Sequence, residues 1–160
     1  MNRADTYYAR AVAKDQSNTD WLTKWRDTRR KKVPETQTAF LEDYQMYVSI
    51  LRTLANAKRT DIPTHRDFLQ ELYTQASGAG AGAAGAWRGL GVEADAAMRF
   101  FEPDRPAALR RYRGISVVMR YALGDQISDA DVASGREDLE AALKADPTDE
   151  IAANDLARVF

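Results

Sequence analysis

Cysteine is absent from the 160 residues, which excludes disulfides, thiolate metal sites and cysteine nucleophiles. Histidine occurs once, at His65. A lone imidazole without thiolates builds a zinc site only if carboxylates complete it. As a general base it needs an orienting acid and a nucleophile. Asp61 and Asp67 are near in sequence but suit helix capping, so His65 is expected to be solvated or to cap a helix. No Glu-x-x-His motif occurs, which removes the di-iron signature of helical bundles. Long apolar runs are also missing. Nothing approaches the ~20 residues that span a bilayer, and the stretch from Ala79 to Trp87 is short and rich in glycine. The opening MNRADTYYARAVAKDQ lacks the apolar region of a secretory signal. Strand-like alternation is scarce too, since Ile115 to Met119 is the one β-like run and it lies inside a helical pattern. The absences describe a soluble, cytoplasmic, all-α protein with no catalytic, cofactor or metal site.

Hydrophobic residues make up 44% and charged residues 29%, a globular balance. A chain of this length buries about 68–70% of its unfolded surface and needs no staple. The expected fold is a bundle of about six to eight helices in a single domain, 1–160.

Helical spacing recurs along the chain. Ala4, Tyr8, Ala11 and Val12 share one face. Asn18 or Thr19 caps a second helix with Trp21, Leu22 and Trp25 on its apolar side, ended by the Val33–Pro34 step. Between Glu35 and Arg59 no Gly or Pro interrupts a stripe of Phe40, Leu41, Tyr44, Tyr47, Val48, Leu51, Leu54 and Ala55. Thr64 with Asp67 resembles a capping box for a fourth helix. Later helices are expected over Val92–Phe101, after Pro106, after Ser128 with its partner Asp131, and after Thr148. Gly114 is a weak point within the helix after Pro106.

The segment SGAGAGAAGAWRGLG at 77–91 breaks this pattern and is expected as a loop or hinge between an N-terminal part, 1–76, and a C-terminal part, 92–160. Gly80, Gly82 and Gly85 spell G-x-G-x-x-G. A dinucleotide site needs a strand before those glycines, and here an amphipathic helix precedes them.

Near the C-terminal end, Leu123–Gly124 and Ile127 are followed by Leu139, Ala142, Leu143 and Pro147, and then by Leu156, Ala157 and Phe160. This pattern, over about 120–160, resembles a tetratricopeptide repeat, a helix–turn–helix unit of about 34 residues. It departs from the family where Gly124 and Ala142 stand a residue too close, and where Arg120 or Ala153 takes the usual tryptophan position. The resemblance implies a solenoid-like scaffold presenting grooves to a protein or peptide.

Charge is the strongest lead to function. Net charge is −1, yet Asp125 to Phe160 holds ten acidic residues against three basic ones, which leaves +6 on the rest. One basic cluster comprises Lys24, Arg26, Arg29, Arg30, Lys31 and Lys32, interleaved with Trp21 and Trp25. A second comprises Arg105, Arg110, Arg111, Arg113 and Arg120. Guanidiniums hold phosphates bidentately and aromatic rings stack on bases. The bland alternative is a solvated charged face behind buried tryptophans, and a third reading is a face for an acidic protein, this chain's own C-terminal helices included. The candidate partner-binding or phosphate-binding residues are Arg26, Arg29, Arg30, Lys31, Lys32, Arg110, Arg111 and Arg113. The function expected is a non-enzymatic helical adaptor or assembly subunit that binds another protein or its own copies, without a membrane. The alternative is nucleic-acid binding through the clusters at 24–32 and 105–120.

Overall fold

The computed structural model describes residues 3–31 and 37–157, with the backbone alone at 37–43 and 81. Among these residues the protein is all-α: eight α-helices, two short 3-10 turns and no strand. The chain forms two compact units, Met1–Thr64 and His65–Phe160.

The first unit holds α1 (Arg3–Lys14), α2 (Thr19–Arg30) and α3 (Gln37–Ala57). Asn18 caps α2 by accepting a hydrogen bond of 3.2 Å from the Trp21 amide. The Val33–Pro34 step expected to end α2 lies outside the described residues. Val12, Leu22, Trp25, Ile50 and Leu54 form the core, with Tyr8, Ala9, Trp21 and Met46 packed against it. Ile50 lies outside the stripe read from the sequence, yet it is buried alongside Val48, Leu51, Leu54 and Ala55. The long helix is therefore covered over a wider arc than one stripe.

Helix α4 (Ile62–Gly78) crosses the boundary between the units. Its cap is Asp61, which accepts from the Thr64 amide at 3.0 Å and from the Thr64 hydroxyl. The box expected from Thr64 and Asp67 is thus displaced by one turn. His65 is neither solvated nor a cap. It is 2% exposed, with ring centroids of Phe100 and Phe101 at 5.7 and 5.8 Å.

The second unit continues with α5 (Ala83–Met98), α6 (Ala107–Ala122), α7 (Asp129–Ala145) and α8 (Glu150–Ala157). The segment expected as a loop is mostly helix: α4 runs to Gly78, a 3-10 turn covers Gly80–Gly82, and α5 starts at Ala83. Trp87, Leu90, Ala94, Ala97 and Met98 are buried along α5. Burying Trp87, Leu90 and Met98 at about 1.5–3 kcal/mol per large side chain outweighs roughly 1 kcal/mol for each interior glycine. Gly80 takes a positive φ of 53° in the turn, the one place in this segment where backbone freedom is needed.

Helix α6 packs on both α5 and α7, and α8 rests on both α6 and α7. Gly114 is not a weak point but the place where α6 and α7 touch. A Cβ there would lie 2.8 Å from the Gly135 carbonyl oxygen, and one on Gly135 would lie 2.8 Å from Val117. Ser128 caps α7 by accepting from the Asp131 amide at 3.1 Å, and its hydroxyl donates to the Asp131 carboxylate. Asp149 caps α8 through the Ala152 amide at 3.0 Å. Thr148 instead donates to Asp146. Of the repeat-like residues, Leu139 and Ala142 are buried in α7. Leu123 and Gly124 end α6, with Gly124 at φ 77°.

Candidate functional site

The two basic clusters meet different fates. In the first unit, Arg29 turns inward. Its Nε lies 2.7 Å from Asp5 Oδ1, with the side chains only 4% and 3% exposed. The Trp25 indole donates to the same oxygen at 3.1 Å. Tyr8 stacks on Trp25 at 6.5 Å between centroids. Arg29 is thus part of the interior and does not face a partner. Arg26 pairs with Asp27 at 2.9 Å. Arg30 and Lys31 are exposed at the end of α2, and Lys32 lies outside the described residues.

In the second unit the arginines of α6 are covered by acids from the C-terminal helices. Arg110 donates to Asp138 at 2.7 Å, and Arg113 donates to the other oxygen of the same carboxylate. Arg113 also donates to Ser134 at 2.8 Å. Arg111 pairs with Asp149 at 3.0 Å. Arg120 and Arg88 converge on Asp125 in the turn after α6, at 2.8 and 3.1 Å. Hydrogen bonds from Arg120 and then Arg88 hold the Asp125 carboxyl below its ordinary range. The acidic end of the chain thus neutralises the basic stretch before it.

Asp5 and Asp138 complete these arrangements, and the sequence reading missed both. A signal existed. Asp5 sits on the stripe of Tyr8 and Val12, and Asp138 precedes Leu139 one turn before Ala142. A carboxylate within an apolar stripe requires a buried cation as its partner.

Two of the concavities within the second unit bear on function. One, of about 200 Å³, runs between α5, α6 and α7 past Arg88, Asp95, Arg113, Arg120 and Asp131, with Val92 and Val117 as apolar walls. The other, of about 400 Å³, is lined by Tyr73, Trp87, Met119, Leu123 and Asp155. The Tyr73 and Trp87 rings meet edge to face at 5.7 Å. Leu123 and neighbouring Tyr121 are 50% and 52% exposed. Nearby, the Tyr112 hydroxyl donates to Gln70 at 2.9 Å, and burial raises its pKa.

Among the described residues no cluster of His, Asp or Glu is arranged to hold a metal ion. Nor is any helix there long and apolar enough to cross a membrane. No protein-family model, curated protein or solved structure matches this chain.

Proposed function

We propose that this protein is a non-enzymatic helical adaptor or assembly subunit of the cytoplasm that binds another protein through a helix face. The observation that carries this reading is the hollow of the second unit, walled by Tyr73, Trp87 and Met119, with Leu123 half-exposed at its edge. A large apolar side chain left in water at the wall of a concavity fits a site that a partner's side chain covers. The stack of α6, α7 and α8, with α8 on both predecessors, supports a scaffold role of the kind the repeat-like residues imply. The absence of cysteine agrees with a reducing compartment.

The test is a paired capture. Wild-type protein and a Leu123→Asp variant are used side by side as bait, and any protein retained only by wild type is purified and titrated by calorimetry. A one-to-one complex weakened at least ~10-fold by the variant supports the reading, since hot-spot truncations cost 2 kcal/mol or more. Light scattering over a concentration series covers the case in which the partner is a second copy. Equal binding by both proteins, with no concentration-dependent mass, refutes it.

A further inference from the structure

The outer face of α1 carries Arg3, Tyr7, Arg10 and Lys14, spaced by four, three and four residues. That rhythm keeps all four on one side of a helix, over about 16 Å at 1.5 Å per residue. All four are exposed, Tyr7 to 67%. Among the described residues Arg3, Arg10 and Lys14 face no carboxylate at ion-pair distance, in contrast to the arginines of α6. Asp5 is turned into the core, and Asp15 accepts from the Ser17 amide and hydroxyl. The Arg29–Asp5 pair holds the end of α2 beside the start of α1, and Arg30 and Lys31 there are also exposed.

We infer that this face binds single-stranded nucleic acid, with phosphates on the cations and a base on the Tyr7 ring. Aligned charges of one sign around an exposed aromatic ring are the two elements of single-strand recognition: an electrostatic track and a stacking platform. Tyr8 meets Tyr7 edge to face at 5.6 Å and itself stacks on Trp25, which anchors the exposed ring to the core. A membrane surface is a poorer occupant, because an interfacial helix buries its apolar face in lipid. The apolar face of α1 already packs on α2 and α3 through Tyr8, Ala9 and Val12. An acidic peptide would use the cations but gives Tyr7 no stacking role. The surface is distinct from the hollow of the second unit, so the two proposals stand or fall separately.

The experiment is fluorescence anisotropy of a labelled thymidine oligomer of about 16 nucleotides, the upper site size of a single binding fold, at ~50 and ~200 mM salt. Wild type should bind at the lower salt and weaken steeply at the higher. Arg10→Glu/Lys14→Glu should weaken binding at least ~10-fold and reduce the salt slope by about two phosphate contacts. Tyr7→Ala should weaken it several-fold with the slope unchanged. Helicity is checked by circular dichroism, and if the charge reversal perturbs it, Arg10→Gln/Lys14→Gln decides. Arg105→Ala, an exposed arginine paired with Glu102, should bind like wild type. The inference is overturned if wild type does not bind at the lower salt, or if the charge variants keep full affinity and slope. It is equally overturned if Tyr7→Ala is silent while polyglutamate or anionic phospholipid vesicles compete as well as the oligomer.

Discussion

Asp5, Asp138 and Asp125 each hold one or two arginines in place. Asp5 is 2% exposed and holds Arg29 and the Trp25 indole together. Asp5→Asn removes the carboxylate charge from a pair whose side chains are only 4% and 3% exposed, so a loss of about 3–5 kcal/mol is expected in urea unfolding. Asp138 is 1% exposed, but its partners Arg110 and Arg113 keep 28% and 17% of their side chains in water. Solvent relieves part of that cost, and Asp138→Asn should lose about 2–3 kcal/mol. Asp125 lies in the turn after α6 with its side chain 18% exposed. Its folded pKa lies below the ordinary 3.8, held there by Arg120 and Arg88. A depressed carboxylate stabilises the fold above its unfolded pKa, and that contribution is lost as pH falls through the folded value. The stability gap between wild type and Asp125→Asn should therefore be full at neutral pH and close below about pH 3.8, as followed by urea midpoints across an acid series.

Among the helices, α5 shows how packing overrides propensity. Gly85 and Gly89 lie within it, and a Cβ on either would meet nothing within 4 Å. Their replacement by alanine should stabilise the protein by about 0.5–1 kcal/mol each, visible as a raised denaturant midpoint. Gly135 should respond in the opposite sense. A Cβ there would sit 2.8 Å from Val117 Cβ and Cγ1, so Gly135→Ala forces α6 and α7 apart. Overpacking of about 1–3 kcal/mol exceeds the propensity gain, and the midpoint should fall. Gly91 is similar, since its Cβ would press on Ser116 Oγ, which donates to the Trp87 carbonyl at 2.7 Å. The cap at Ser128 was readable in the sequence, and of the two candidates Asn18 and Thr19 the structure selects Asn18, whose side chain accepts from the amide three residues on. At Asp61 and Asp149 two or more polar residues compete for the cap, and helix position decides between them.

Across the whole molecule, charge and core are both partitioned. The first unit holds twelve basic and eight acidic residues, and the second eleven and sixteen. The excess acid of the second unit is partly absorbed on the α6 arginines, while Arg3, Arg10 and Lys14 of α1 face no carboxylate at ion-pair distance among the described residues. Each unit also has its own buried set, around Trp25 and Ile50 in one and Leu109, Ile115 and Leu139 in the other. Asp5→Asn should raise amide exchange chiefly in α1–α3, and Asp138→Asn chiefly in α5–α8, because local opening follows the contacts that are lost. Exchange raised equally in both units by either variant would contradict that division.

The sequence by itself determined the all-α class and most helix positions. Periodicity, the absence of cysteine and the unambiguous caps are properties of neighbours in the chain, so they can be read locally. It also displayed the two basic clusters as clusters. Only the tertiary structure decided which of those cations are available. Arg29 and Arg110 look alike in sequence to Arg30 and Arg10. What separates them is a carboxylate brought from another helix, and at ion-pair range Coulomb attraction depends on distances that chain spacing does not encode. The glycine-rich segment was decided in the same way. Its local propensity favours a loop, and its burial against α6 makes it a helix.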